Sequence, residues 1–224
     1  MAEVLIISGT GDYSDPWHRF GDTSLRLAKI IAELGHQVTI SDAVEQALAE
    51  PGDPDLIVVN IGNPREPRPQ AHIDAAEEGL DHHLQRGGAL LGVHVSATSM
   101  TTMSRWSQMF GGHWVRDRTM HPPQGPFNVV VHARAHPIVN GMSDFPVFDE
   151  RYSYLHTNPD ITVMCEQFTD GGLHPVVWAR EAGHARVVYD GLGHDTRSYE
   201  SAGHVDLLRR TVGWLLRDGD VTPV

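Results

Sequence analysis

Histidine is the residue type most able to do chemistry in this 224-residue chain. The sequence holds 15 histidines, whereas lysine and arginine together number only 17. A neutral imidazole binds divalent metals and exchanges protons near neutral pH, so this composition indicates metal ligation or proton transfer. Composition alone does not choose between these two kinds of chemistry.

Two of the histidines follow strand-like segments. The apolar run that ends at Val93 passes directly into His94 and a cluster of small and polar residues. A second run ends in Gly191-Leu192-Gly193-His194-Asp195. In open α/β sheets, ligands bind in the crevice outside the carboxyl ends of the strands. We therefore expect His94 and His194 to project into one shared crevice, as metal ligands or as proton acceptors.

Three further histidines are candidates for binding substrate in the same crevice. His113 and His121 lie near Gly111-Gly112, and His18 lies in the loop after the first strand-like segment. The spacing of these residues matches no local zinc signature, so a metal site would have to be assembled by the fold. A structural role on a loop remains the alternative for His18.

Acidic and aromatic residues could complete such a site. Asp195 and Glu150 are the candidates for orienting a histidine or acting as general acid or base. If the strand around Glu150 continues, alternation places Glu150 and Tyr152 on the same face. Tyr152 and Trp178 could stack on a sugar ring, although an ordinary position on a sheet face explains Trp178 equally. An exposed strand edge is the alternative for Glu150.

The first half of the chain alternates strand-like and helix-like segments, which predicts a parallel sheet covered on both faces. The expected strands are Val4–Ile7, Gln37–Ile40, Leu56–Val59 and the run before His94, and the expected helices are Phe20–Leu34, Val44–Ala49 and Ile73–Leu84. Right-handed crossovers would place the loops after these strands at one edge of the sheet.

The second half has a different pattern. Met100, Met103, Trp106, Met109 and Phe110 have helical spacing and predict an apolar helix face that ends at Gly111. Strand-like segments without long helices between them follow, which predicts antiparallel strands, and a closing helix is expected around Val205–Leu215. We expect one domain over residues 1–224.

Charge and cysteine content exclude several classes of protein. The net charge is −12 and no long basic run occurs, so nucleic acid and anionic membranes are not expected partners. Cys165 is the only cysteine, and neither a signal-peptide pattern nor an apolar run of membrane-spanning length is present. We therefore expect a cytoplasmic protein.

An ordered set of short motifs resembles the trehalose-utilisation (ThuA-like) family. The motifs extend over nearly the whole chain: Gly87-Gly88, Gly92-Val93-His94, Phe110-Gly111-Gly112-His113, Ala135-His136-Pro137-Ile138, Asp149-Glu150-Arg151-Tyr152, Pro175-Val176-Val177-Trp178 and Gly191-Leu192-Gly193-His194-Asp195. The resemblance implies the flavodoxin-like fold of class I glutamine amidotransferases, a three-layer sandwich with a mostly parallel central sheet and added antiparallel strands in the C-terminal half. In those enzymes the strand-to-helix elbow carries a nucleophilic cysteine, and here that residue is His94. Glutamine hydrolysis through a thioester is therefore not expected.

The resemblance implies a role in the utilisation of trehalose or related disaccharides, acting on 3-keto sugars made by a partner sugar dehydrogenase. One hypothesis is an enzyme in which His94, His194, Asp195 and Glu150 provide acid–base or metal-assisted chemistry, with one divalent transition metal as the candidate cofactor. His113 and His121 would then bind sugar hydroxyls. A carbonyl beside the reacting carbon favours isomerisation or elimination over displacement. The other hypothesis is a non-catalytic carbohydrate-binding or regulatory protein; the sequence does not determine the oligomeric state.

Overall fold

The computed structural model describes residues 1–218 and contains one large sheet flanked by helices. The single domain predicted over residues 1–224 extends beyond this range, since residues 219–224 lie outside the described part. The strands are β1 (Glu3–Ser8), β2 (Gln37–Ser41), β3 (Leu56–Asn60), β4 (Ala89–Val93), β5 (Gly112–His113), β6 (Gly125–Val131), β7 (Phe145–Asp149), β8 (His156–Thr157), β9 (Thr162–Thr169), β10 (Gly172–Ala182) and β11 (Ala185–Asp190). The α-helices are α1 (Phe20–Glu33), α2 (Val44–Ala49), α3 (Gln70–Gln85), α4 (Trp106–Phe110) and α5 (Ala202–Leu215).

Nine strands form the large sheet in the order β2-β1-β3-β4-β11-β10-β9-β6-β7. The first five of these are mutually parallel and have the flavodoxin-like order. The remaining four pair antiparallel, beginning with the hairpin between β10 and β11. The predicted parallel sheet with antiparallel strands added in the C-terminal half is therefore confirmed. Strands β5 and β8 form a separate antiparallel pair.

Helices cover both faces of the sheet. The apolar side chains of α1 and α5 pack with one face in a large core that includes Leu27, Ile31 and Leu208. Helices α2, α3 and α4 cover the opposite face, where Leu48 and Leu80 are fully buried. Burial on both sides explains why β3 and β4 are continuous apolar runs rather than alternating ones.

The predicted helix through the methionine-rich segment is mostly absent. Only Trp106–Phe110 is helical, and residues 98–105 form turns. The Ser99 hydroxyl donates to the carbonyls of Ile61 and Val95, and Thr98 also donates to Val95. Such side-chain bonds to the backbone compete with helix formation. The spacing nevertheless identified the buried side chains, since all three methionines of the segment are core residues.

The strand predicted around Glu150 ends at Asp149, three residues before Tyr152, whereas the alternation required it to extend through Tyr152. Asp149 pairs with Gly125, the first residue of β6, so the partner strand offers no backbone groups beyond this point. Glu150 and Tyr152 therefore lie on a loop after β7, and strand alternation does not determine their directions.

The site is positioned by one edge of the sheet. The parallel strands β1, β4 and β11 end at this edge, and the loops that follow them carry His18, His94 and His194. Within residues 1–218, no helix has the length and apolar character needed to cross a membrane.

Candidate metal centre

Four side chains from four separate segments converge at the carboxyl edge of the sheet. His18 follows β1, His94 follows β4, Glu150 follows β7 and His194 follows β11. One nitrogen or carboxylate oxygen from each residue lies within 4.8 Å of those of the other three. The imidazole centroids of His18 and His194 are 4.6 Å apart, and those of His94 and His194 are 5.4 Å apart. The two histidines expected to share a crevice do so.

His94 lies at the bend between β4 and a short 3₁₀-helix. Its φ of 45° is in the left-handed region, which non-glycine residues adopt only when surrounding contacts hold them. Two contacts do so here: Nδ1 lies 2.8 Å from the Gly191 carbonyl oxygen, and the Tyr189 hydroxyl donates to the His94 carbonyl at 2.8 Å. Since only a protonated Nδ1 can donate to Gly191, a neutral His94 presents the lone pair of Nε2 to the cluster.

His18 is oriented by Asp15. The Asp15 carboxylate accepts from the backbone amides of Trp17 and His18 and contacts His18 Nδ1 at 2.8 Å. Nε2 of His18 therefore faces the cluster. Burial is the main cause that lowers the pKa of His18 to about 4, and nearby His94 lowers it further, whereas Asp15 opposes the shift. His18 is neutral at physiological pH.

Asp149 connects Glu150 to the loop that carries His194. This fully buried carboxylate accepts from the amides of Glu150 (2.8 Å), Gly193 (2.7 Å) and His194 (3.2 Å). Gly193 has a φ of 111°, and a Cβ at this position would lie 2.7 Å from the Tyr199 hydroxyl, so the turn requires glycine. One buried side chain thus sets the positions of two members of the cluster.

The Glu150 carboxylate lies between the histidines. Oε2 is 3.4 Å from His94 Nε2 and 3.3 Å from His194 Nδ1. Neither contact has the alignment of a hydrogen bond, and both nitrogens are buried without another partner. Burial favours a higher pKa for Glu150, but the contacts with His194 and His94 outweigh it and hold the pKa well below its usual range. Burial likewise opposes the charged form of His94, yet Glu150 and Asp149 raise the pKa of His94.

The donor set fits a divalent transition metal. Nε2 of His18, Nε2 of His94 and Nδ1 of His194 are buried and accept or donate no hydrogen bond within the described chain. Ligand atoms of a tetrahedral site with bonds near 2.1 Å lie roughly 3.4 Å apart, so shifts of about one ångström would bring all four groups into range. In His18 and His94 the second ring nitrogen is held by a carboxylate or a carbonyl, as is usual for metal-binding histidines. Three imidazoles and one carboxylate suit zinc, manganese, iron, cobalt or nickel.

Tyr152, His121 and Trp114 surround this cluster. The Tyr152 ring stacks on His94 with centroids 4.4 Å apart, and Trp114 packs edge-on against Tyr152 at 5.0 Å. His121 Nδ1 lies 3.4 Å from Glu150 Oε1, and about a third of its side chain is exposed. His121 and Tyr152 were predicted to bind substrate, and the structure places both beside the cluster.

Three predicted site residues lie elsewhere. The Asp195 carboxylate is bound by Arg197 and Gln124, which lower its pKa to about 2 against the opposing effect of burial. Asp195 is therefore not the acid that contacts a histidine of the cluster; Glu150 is. His113 packs against His156, with ring centroids 4.9 Å apart.

Trp178 is the third of these residues. Its indole is fully buried, donates to the Phe110 carbonyl at 2.8 Å and packs against Tyr189. The expectation that Trp178 stacks on a sugar fails, because a side chain without exposed surface offers no face to a ligand.

Two residues of this site were not identified from the sequence. Asp15 lies three residues before His18, a spacing that allows a carboxylate to reach the histidine ring, and this signal could have been used. The second residue is Asp149, which directly precedes Glu150 in the sequence. Nothing local distinguishes it, since its amide partners at Gly193 and His194 lie more than 40 positions away.

The thiol of the chain is remote from the site. Cys165 lies within β9, has no exposed surface, and burial raises its pKa.

Comparisons with known proteins identify the family. A family model described as "Trehalose utilisation" (ThuA) matches residues 3–215. A ThuA-like protein of Parabacteroides merdae is structurally similar with a TM-score of 0.81 at 16% identity, covering 100% of this chain and 92% of that one. A second, from Bacteroides uniformis, has a TM-score of 0.76 at 17% identity and covers 96% and 91% of the two chains.

The fold extends to amidotransferases. A glutamine amidotransferase of Thermotoga maritima has a TM-score of 0.59 at 11% identity, with 97% of this chain and 99% of that one covered. At such identities the structural matches show the fold alone. No curated protein sequence matches the chain significantly. The family model covers nearly the whole chain, and the chain therefore belongs to the ThuA (trehalose utilisation) family.

Proposed function

We propose that this protein is a metal-dependent enzyme that isomerises or cleaves a keto sugar derived from trehalose or a related disaccharide. The observation that carries the proposal is the cluster of His18, His94, His194 and Glu150, whose ligand atoms lie within 4.8 Å of one another. The family supports a role in trehalose utilisation, and the keto sugar and the reaction are our inference.

The buried imidazoles support a metal rather than a purely structural cluster. Three buried ring nitrogens without hydrogen-bond partners are costly unless another group satisfies them. A divalent ion would satisfy all three and would compensate the buried negative charge of Glu150. When bound, the ion would polarise a carbonyl or hydroxyl oxygen of the substrate.

The protein residues would carry out the proton transfer. His121 is the proposed proton acceptor, since its Nδ1 faces Glu150 and its ring is partly exposed beside the cluster. It would take the proton from the carbon next to the sugar carbonyl and return it to a neighbouring carbon in isomerisation, or to the leaving oxygen in elimination. Tyr152, stacked on His94, would keep one wall of the site apolar and limit water access.

A keto sugar must be supplied by oxidation of a sugar hydroxyl. We therefore propose a sugar dehydrogenase as the partner activity that precedes this enzyme. The two activities need not form a complex, because the substrate can diffuse between them.

Elemental analysis of tag-free protein purified without chelators tests the metal site directly. We expect near one equivalent of a transition metal, lost in His94→Ala and retained in the control His72→Ala, which removes an exposed imidazole on α3. Turnover is then followed by NMR with 3-keto-trehalose. Loss of turnover in His94→Ala and in His121→Gln, with the metal retained in the latter, supports the proposed roles. A metal-free protein with full turnover would refute the metal, and a metal-loaded protein that binds keto sugars without turnover would refute catalysis.

A further inference from the structure

A large polar cavity lies next to the candidate metal centre and is not used by the chemistry proposed above. Its volume is about 790 Å³, within the roughly 300–1,000 Å³ typical of small-molecule sites. The segments after β4 and after β5 form most of its wall. The lining includes Asn63, Thr98, Ser107, His113, Trp114 and Asp117.

Trp114 belongs both to this cavity and to the surroundings of the metal centre. Its ring packs against Tyr152, which stacks on His94, and it also lies 6.0 Å from the His121 ring. Its backbone amide donates to the carbonyl of Ala97, three residues after His94. The cavity and the cluster are therefore neighbours separated by aromatic side chains.

The chemistry of the cavity wall suits a neutral polyhydroxylated ligand. The Asn63 amide donates to the Thr98 hydroxyl and keeps its carbonyl oxygen for a ligand, Ser107 offers a hydroxyl, and Trp114 offers a partly exposed indole. The carboxylate of Asp117 and the guanidinium of Arg116 balance in charge. Sugars are bound in this manner, by hydrogen bonds to their hydroxyls and by aromatic faces against their C–H groups.

His113 adds a group that can both donate and accept. Burial and the neighbouring His156 lower the pKa of His113, which favours the neutral imidazole. The His113 side chain lines the cavity, while its Nδ1 atom is itself buried and has no hydrogen-bond partner among residues 1–218. His113 is not a member of the metal cluster, but it lines this cavity. The prediction that His113 binds sugar hydroxyls would therefore apply to a sugar in this cavity.

We propose that this cavity is a second saccharide subsite, which binds the sugar ring next to the one held at the metal centre. The substrate is accordingly a saccharide of at least two rings rather than a monosaccharide. This inference rests on the proposed function, because it assumes that the first ring lies at the cluster.

The experiment compares the binding of two-ring and one-ring sugars. Dissociation constants for 3-keto-trehalose and 3-keto-glucose are measured by calorimetry with metal-loaded protein inactivated by His121→Gln. We expect the two-ring sugar to bind about tenfold more tightly or better. Ser107→Trp fills the cavity from α4 and should abolish that preference, whereas Leu25→Trp, on an exposed part of α1, is the matched control. Asp117→Asn, a change at an exposed position, should weaken the two-ring sugar selectively.

The outcomes separate this proposal from the proposed function. If both sugars bind with equal affinity to the metal-loaded protein, the second subsite is refuted and the metal site stands. The same holds if Ser107→Trp and Asp117→Asn keep the full preference for the two-ring sugar. The metal content of each variant reports whether the fold is intact. If neither sugar binds, both proposals are refuted.

Discussion

Replacing Asp149 by asparagine tests how the candidate metal centre is held together. The carboxylate accepts three backbone amides, from Glu150, Gly193 and His194. Asparagine keeps one oxygen and presents an NH₂ group to the third donor. In the native protein, Oδ1 of Asp149 accepts from the amides of Glu150 and His194, and Oδ2 accepts from the amide of Gly193. The most favourable orientation of asparagine keeps its oxygen on the first two amides, so that its NH₂ group faces the Gly193 amide, which is also a donor.

The expected cost follows from these contacts. One orphaned buried amide costs about 2 kcal/mol, and two hydrogen bonds that change from a charged to a neutral acceptor lose about 1 kcal/mol each. These losses would lower the free energy of unfolding by about 4 kcal/mol. Asparagine also removes the cost of burying a charge, so the net decrease should be about 3 kcal/mol. Because the Gly193–His194 turn loses its anchor, metal affinity should fall about tenfold or more.

The assay combines urea denaturation with metal titration. Asp144→Asn is the matched control, since Asp144 also accepts a backbone amide, from Val131, but its side chain is half exposed. The control should change the free energy of unfolding by about 1 kcal/mol or less and leave metal affinity unaltered. If Asp149→Asn behaves like the control in both measurements, Asp149 does not position the cluster.

Three other predictions follow from the same structure. Asp15→Asn should raise the dissociation constant of the metal about 10- to 100-fold by releasing the His18 ring, with little change in stability; an unaltered metal titration would contradict this. Cys165 should not react with a thiol reagent in the native protein and should react fully in guanidinium, since burial raises its pKa; rapid native labelling would be inconsistent with its place in β9. Burial disfavours the charged form of His204, but the Asp190 carboxylate outweighs burial and raises the pKa of His204 above the unfolded value of about 6.5. The ion pair with Asp190 therefore stabilises the folded protein fully at low pH, and this stabilisation is lost as the pH rises through the folded pKa. The free energy of unfolding should therefore decrease as the pH rises above about 6.5 in the native protein and should decrease less in His204→Gln, and parallel pH profiles would refute the assignment.

Much of the fold could be predicted because its signals are local. Continuous apolar runs such as Leu56–Val59 can be buried only on both faces, which requires helices on either side of a parallel sheet. The helix Val44–Ala49 also follows from a short-range pattern. The helix predicted after His94 formed only over Trp106–Phe110, because serine and threonine side chains earlier in that segment bond to nearby carbonyls, an effect that apolar spacing does not reveal.

The candidate site was predictable only in part. His94 and His194 were expected to meet because strand ends of a parallel sheet share one edge, and their rings do lie together. The choice of acid was not predictable. Asp195 is adjacent to His194 in sequence, but Arg197 and Gln124 bind its carboxylate, whereas Glu150 reaches the histidines from a distant loop. Trp178 was indistinguishable from an exposed aromatic because its burial depends on β11 and on the segment at Phe110.

The sequence by itself determined the layers of this protein, the edge of the sheet where polar side chains collect and the presence of His94 directly after a buried strand. These properties depend on hydrophobic periodicity and residue identity, which are local. The tertiary structure alone decided which nitrogens face one another, which carboxylate lies between them and which side chains hold them there. Such facts depend on hydrogen bonds between segments up to 97 positions apart, such as that from His94 to Gly191, and only the folded chain brings those groups into contact.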